Sequence, residues 1–243
     1  MTVIHQMKNI VAANLFLCSI LFFGAGCSST NPPASNNNNS SATVKPKMGS
    51  TFTDSLYYKD TSLVDMHAKG QIMVYTLIDT NATVAGKSSV YIFASTFDSV
   101  YQRFDTVYQH YETNGDLSVY APFGAGPFVV GSEWVTFPFA TQTTSNIQTF
   151  KGVVIDTVTI AGHVQGSGSG TSVISGQSLA TQNVTMNVDA TSIAAGDIPA
   201  TLKLTYAPSI GYITHQELTD RGSALGINLT GGSNKFLISY ILK

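Results

Sequence analysis

The sequence predicts an all-β domain, a mostly antiparallel curved sheet in the form of a half-barrel or a sandwich, with little helix beyond its amino-terminal segment. Three observations carry this. The first is period-two alternation. Val184, Met186 and Val188 alternate with Thr185, Asn187 and Asp189, and Leu202, Leu204 and Tyr206 alternate with Lys203 and Thr205. Phe236, Ile238 and Tyr240 alternate with polar or smaller neighbours up to the last residues. β-branched and aromatic residues at this period mean half-buried strands. The second is punctuation by turn residues. Asn114-Gly115 stands between Tyr108–Thr113 and Leu117–Tyr120 and predicts a hairpin with φ > 0 at both turn positions. Gly86-Lys87, Gly166 to Gly170, Gly176-Gln177 and Gly231-Gly232 are further turn candidates. The third is composition: charged residues are 11% of the chain, against a usual value near 25%. Thr, Ser, Asn and Gln supply the polar surface instead. Only Ser192 to Ala195 offers a turn of helix.

One stretch carries two patterns at once. Phe97-Asp98-Ser99-Val100-Tyr101-Gln102-Arg103 is followed directly by Phe104-Asp105-Thr106-Val107-Tyr108-Gln109-His110, a near-perfect repeat. Phe97, Val100, Tyr101, Phe104, Val107, Tyr108 and Tyr111 would form one helical stripe. The residues are nevertheless mostly β-formers and run into the Asn114-Gly115 turn. The reading favoured is a strand, a bend near Asp98 to Arg103 and a second strand, with a helix as the alternative.

The amino terminus has the three-part layout of a secretory signal. Residues 1–9 carry the single firm charge Lys8, Ile10 to Phe23 are largely apolar, and Gly24-Ala25-Gly26-Cys27 closes with small residues and a cysteine. As a helix the apolar run would cover about 21 Å, short of a hydrocarbon core of about 30 Å, which argues against a retained anchor. The small residues ending at Cys27 resemble the lipobox of bacterial lipoproteins. That resemblance implies cleavage before Cys27, a diacylglycerol on its sulfur and an acyl chain such as palmitate on its amine. The motif departs from the family at Gly24, where Leu is usual, so ordinary signal-peptidase cleavage near Ala25 stands as the alternative. Two or more chains matter physically, because each buried methylene contributes about 0.8 kcal/mol and one chain holds only marginally.

The chain thus divides into a signal peptide (1–26), an acylated cysteine with a Ser/Asn/Pro tether (27–50) and a single β-domain (51–243). The tether contains Pro32-Pro33 and four asparagines from Asn36 to Asn39, a composition that cannot offset chain entropy by burial. As a coil it would reach roughly 25–30 Å on average. Cys18 leaves with the signal and Cys27 carries lipid, so the domain must hold without an intrachain disulfide. Removal of Lys8 leaves 11 basic against 14 acidic residues. No basic cluster tracks a phosphate backbone, which excludes nucleic acid as the expected partner.

The search for chemistry is mostly negative. Gly86-Lys87-Ser88 resembles the tail of a phosphate loop, but the position five residues before Gly86 is Asn81 rather than glycine. Gly-Ser-Gly-Ser-Gly at 166–170 lacks the spacing of a nucleophile elbow and reads as a flexible loop. His67, His110, His163 and His215 show no metal-ligand spacing, and no calcium-loop run of acids occurs. His215 and Glu217 would share one strand face as an acid/base pair, although surface polarity explains them as well. Trp134, the only tryptophan, reads as a sheet anchor, with a ligand or partner contact as the sharper alternative. Pro138 places its segment at a sheet edge or a bend. No catalytic residue, cofactor or metal is therefore expected, and Cys27 is the one residue with an assignable chemical role.

Two segments resemble the uncharacterised secreted lipoproteins of Bacteroidota and their relatives. Tyr206-Ala207-Pro208-Ser209-Ile210-Gly211-Tyr212-Ile213 is similar to their aromatic-Ala-Pro-Gly-x-Gly turn, with Ser209 in place of a glycine. Pro127-Phe128-Val129-Val130-Gly131-Ser132-Glu133-Trp134 is similar to their Pro-Leu-x-x-Gly-x-x-Trp segment. The resemblance implies a curved antiparallel sheet like the half-barrel of lipoprotein carriers and no assigned activity. The expected function is a non-enzymatic structural or protein-binding module of the cell envelope, whose partners are a membrane through the lipid anchor and another envelope protein. The alternative is a binder of a lipid or other apolar ligand, using Tyr101, Phe104, Tyr108, Tyr111, Phe123 and Phe128. A hydrolase or glycan-active enzyme would have only His215 and Glu217 behind it. Ser28 and Ser29, with no acid nearby, argue by analogy with enteric sorting for the outer membrane, facing the periplasm or the surface.

Overall fold

A computed structural model describes residues 43–59, 71–95, 106–125, 128–147, 150–153, 157–192, 196–220, 223–224, 227–228 and 231–243. The strands run β1 (Thr51–Lys59), β2 (Gln71–Val84), β3 (Lys87–Ser95), β4 (Thr106–Tyr111), β5 (Leu117–Ala125) and β6 (Phe128–Phe137). There follow β7 (Thr144–Asn146), β8 (Phe150–Val153), β9 (Thr157–Ile174), β10 (Gln177–Ser192), β11 (Gly196–Ala207) and β12 (Tyr212–Asp220). A two-stranded hairpin, β13 (Ser223–Ala224) and β14 (Ile227–Asn228), precedes β15 (Gly231–Ile241). The described residues are all-β, as the alternation predicts.

All strands but that hairpin belong to one antiparallel sheet in the order β6-β5-β4-β3-β2-β1-β15-β12-β11-β10-β9-β7, with β8 also on β9. Sequence neighbours pair, and the first strand pairs with the last, so the sheet curls into a nearly closed barrel. Short β7 and β8 lie along β9 at successive levels, Thr144 against Gln165 and Phe150 against Ile160. The remaining seam lies between β6 and these strands and, among the described residues, has no ladder across it. Pro138 follows the last residue of β6, an edge strand, as its missing N–H requires.

Long strands can close only if they bend. Bulges at Thr53/Asp54, Asn183/Val184 and Thr205/Tyr206, and several along β2–β3, provide this by adding local twist. Buried side chains form two clusters inside the barrel. One cluster joins Leu117, Val119, Val135 and Phe137 of β5 and β6 to Val184, Met186, Leu202 and Leu204 of β10 and β11. A second gathers Phe52, Tyr75, Leu77, Phe93 and Tyr212 toward the other side of the barrel. Thr185 and Asn187, between buried neighbours, are half-exposed and Asp189 is exposed. On β10, then, the apolar residues point inward and the polar ones outward.

Several local expectations need correction. At Asn114-Gly115 only Gly115 has positive φ, at 89°. Gly115 N–H donates to Glu112 O and Glu112 N–H to Asp116 O, so the loop is a wider turn ending on a left-handed glycine rather than a two-residue turn. The two-residue turns fall one position earlier than expected, at Ala85-Gly86 and Ser175-Gly176, where both residues have positive φ. The Gly166 to Gly170 segment is no loop but the middle of β9. Gly166 N–H donates to Thr143 O and Gly168 N–H to Gln142 Oε1, and a Cβ on Gly166 would sit 2.4 Å from Gln142 Cα. Glycine there admits the loop that follows β6. Gly231 and Gly232 open β15 rather than forming a turn. On β15 the buried face is Ser233, Lys235 and Leu237, whereas Phe236 is half-buried and Ile238 exposed, which inverts the alternation read from sequence there; Tyr240, past the register shift, is half-buried and packs on the core. The second half of the repeat is strand, β4; residues 97–105 lie outside the described residues, as do residues 193–195 of the expected helical turn.

The last residues of the segment read as tether are attached to the domain. Val44 N–H donates to Pro208 O, Gly49 N–H to Leu77 O, and Ser50 O accepts from Leu77 N–H. Gly211 permits this crossing, since it has φ 65° and a Cβ there would lie 2.1 Å from Val44 O.

Candidate functional site

Among the described residues the interior holds one charged group pair, and the pairing of β1 with β15 creates it. Asp54 and Lys235 project inward on these neighbouring strands, beside the bulge at Thr53/Asp54. Lys235 Nζ lies 2.8 Å from Asp54 Oδ2, with the side chains 4% and 0% exposed. Tyr212 OH donates to the same oxygen at 3.0 Å. The ammonium also sits 4.1 Å from the Tyr75 ring centroid, and Phe52 stacks on Tyr212 at 3.9 Å. Desolvation lifts the Asp54 carboxyl above its ordinary range, outweighing the Lys235 charge and the hydrogen bonds from Lys235 and Tyr212. Aromatic walls and a paired charge make this a closed polar anchor that fixes the register of the first and last strands. Sequence reading missed it, because the residues are far apart in the chain and Lys235 interrupts an apparently apolar strand.

A second cluster lies where the β2–β3 hairpin folds against β4, β5 and β6. Trp134 Nε1 donates to Val84 O at 3.2 Å, and Lys87 Nζ lies 5.5 Å from the Trp134 ring centroid. Lys87 and Ser118 both hydrogen-bond Glu112, and Ser118 Oγ lies 2.8 Å from Thr136 Oγ1. Burial pushes the Glu112 carboxyl up, but the hydrogen bonds from Lys87 and Ser118 and the charges of Lys87 and His110 outweigh it and hold the group below its usual range. His110 Nε2 is 3.7 Å from Glu112 Oε2. Tyr120 and Tyr108 extend the aromatic row beside Trp134. Ser118 is fully buried, so the cluster clamps a hairpin and does not present a nucleophile. Trp134 is half-buried, where the blander expectation was a buried anchor.

The other candidates remain apart. His215 and Glu217 do share a strand face, but Glu217 is bound to Lys203 at 3.0 Å and His215 stacks over Phe236. His163 meets Asn187. Among the described residues no three His, Cys, Asp or Glu side chains gather as for a metal. Of the residues weighed for an apolar ligand, Tyr111 is buried, donating to Gly211 O at 2.7 Å and packing edge-on against Tyr91. Tyr108 is half-buried. Tyr101 and Phe104, the side chains of Phe123 and Phe128, His67 and Cys27 lie outside the described residues.

Asp116 fixes the rim of the barrel. Its Oδ1 accepts from Ala140 and Thr141 N–H, and its Oδ2 from Thr141 Oγ1 and Asn114 Nδ2. The β4–β5 turn is thereby tied to the loop after β6, a link the Asn114-Gly115-Asp116 sequence did not disclose.

No family model matches the chain, and neither a curated protein nor a solved structure is significantly similar to it. The resemblance to Bacteroidota lipoproteins read at residues 127–134 and 206–213 thus has no support beyond those segments. The second of these forms the β11–β12 turn, with Tyr206, Ala207, Ile210 and Tyr212 buried.

Proposed function

We propose that this chain is a lipoprotein of the cell envelope, anchored by acylated Cys27 in the outer membrane, whose β-domain is a non-enzymatic structural or protein-binding module. The packing of buried side chains across the barrel is the observation that carries this reading. Side chains of β5 and β6 meet those of β10 and β11 across the barrel, and Tyr111 and Tyr206 are spent on that core. A carrier of apolar ligands needs the same aromatic surface free to line a cavity. The amino-terminal pattern ending at Cys27 supports the anchor.

The test is photo-crosslinking in cells from exposed positions of the outer strands, with native mass spectrometry of the purified protein alongside. Recovery of a defined envelope protein as a cross-linked adduct, with no lipid retained on the domain, is the expected result. A stoichiometric apolar ligand that survives purification would transfer the assignment to the carrier alternative.

A further inference from the structure

Asp54 and Lys235 stand as two reactants as well as two ions. Water keeps an ammonium and a carboxylate apart as charged species, and both side chains here are shut away from it, with Nζ 2.8 Å from Oδ2. Desolvation disfavours both charges, so passage of one proton from Nζ to the carboxyl group leaves a neutral amine facing a carboxylic acid. Burial already lifts the Asp54 carboxyl above its ordinary range. A lysine amine desolvated among apolar walls is a nucleophile. The walls are the Tyr75 ring over Nζ and Tyr212 stacked on Phe52.

The two oxygens of Asp54 are not equivalent. Oδ2 receives both Lys235 Nζ and Tyr212 OH. Oδ1 is also buried, yet it meets no hydrogen-bond donor among the described residues. An orphaned oxygen is costly to a buried carboxylate. An amide has a single oxygen, and Tyr212 already holds the one that would remain.

We propose that Lys235 and Asp54 condense into an intramolecular isopeptide bond that joins the last strand of the barrel to the first. With the transferred proton on Oδ1, the Nζ lone pair adds to Cγ and the carbonyl electron pair moves onto Oδ2. Tyr212 OH donates to that oxygen as to an oxyanion. Collapse completes the Nζ–Cγ amide and breaks the Cγ–Oδ1 bond. Oδ1 leaves as water, taking its own proton and a second one from Nζ. One ammonium and one carboxylate thus give one amide and one water, with no co-reactant. A dry interior opposes the reverse hydrolysis. Both cysteines precede the domain, so no disulfide can make this link. Chain in which the bond has not closed keeps the ion pair, and is the parent against which the ion pair's own contribution is measured.

Mass mapping of the protein isolated folded from cells, then denatured and digested with trypsin, tests this. Trypsin cuts only after an unmodified lysine or arginine. The expected digest therefore contains residues 48–59 joined to residues 222–243, uncut at Lys235 and lighter than the two peptides together by one water. Lys235→Arg keeps a cation opposite Asp54 but offers a guanidinium in place of a nucleophilic amine, and should abolish the joined peptide. Tyr212→Phe keeps the ring and removes the hydroxyl; in pulse-labelled cells the joined peptide should form at least about tenfold more slowly. The parent's own digest decides the matter whether or not either variant folds. Free peptides 48–59 and 222–235 from the folded parent, with nothing joined, would overturn the bond and leave the Cys27 reading untouched.

Discussion

Replacing Lys235 by methionine removes the cation from a fully buried carboxylate and leaves everything else about Asp54 in place. The pair is 2.8 Å apart with exposures of 4% and 0%, so water reaches neither partner to compensate the loss. Breaking such a pair costs about 3–5 kcal/mol. The Tyr212 hydrogen bond to Asp54 Oδ2 exists before and after the change, and offsets none of it. Against a total stability of about 5–15 kcal/mol, the single variant loses about a fifth or more. Lys235→Met combined with Asp54→Leu removes both charges and replaces them with apolar bulk. It should unfold within about 1 kcal/mol of the parent, or later than it. Urea denaturation of the mature chain at neutral pH measures all of these states, and the double-mutant cycle gives the coupling directly. The pH dependence of the single variant follows from the raised Asp54 carboxyl. A group raised in the folded state contributes stability that is fully present below its unfolded value, near 3.8, and is lost as pH rises through the folded value. The deficit of Lys235→Met should therefore be small in acid and grow toward neutrality. A loss below about 1 kcal/mol at neutral pH, or a double variant as unstable as the single, would refute the reasoning.

Other perturbations separate the remaining parts of the fold. Asp116→Ala deprives two backbone N–H groups, the Thr141 hydroxyl and the Asn114 amide of their acceptor. It should cost about 2–4 kcal/mol by urea unfolding, with Asp116→Asn recovering part. Ala85 holds φ 45° at the tip of β2–β3, so Ala85→Gly should raise stability by up to about 1 kcal/mol; a lower melting temperature would contradict the turn assignment. Glu112 is held below its usual range, so its stabilisation is present above the unfolded value, near 4.5, and lost as pH falls through the folded one. Melting curves at descending pH should show Glu112→Gln losing less stability in acid than its parent; parallel curves would contradict the clamp.

The parts of the fold legible in the sequence are those set by local pattern. Val184, Met186, Val188, Leu202, Leu204 and Tyr206 are buried as their alternation implies, because a strand with one wet face writes its burial at period two. Pattern fails where burial is decided across strands. The inward face of β15 carries Lys235, tolerable only because Asp54 arrives beside it from the first strand, so apolar alternation pointed to the wrong face. The glycines at 166–170 look like a linker, but a neighbouring loop presses on them in mid-strand. Turn positions slip by one at Ala85 and Ser175, since neither residue advertises the left-handed conformation it adopts. Trp134 was legible as an anchor, but its acceptor, Val84 O, depends on how far β2–β3 folds over.

The proposed function turns on Cys27, and mass measurement of the amino-terminal peptide of the protein isolated from cell membranes tests it most directly. The account predicts Cys27 as the first residue, carrying diacylglycerol on sulfur with or without a third chain on the amine. A free Cys27 thiol, or a chain beginning near Ala25 or at Met1, would contradict it.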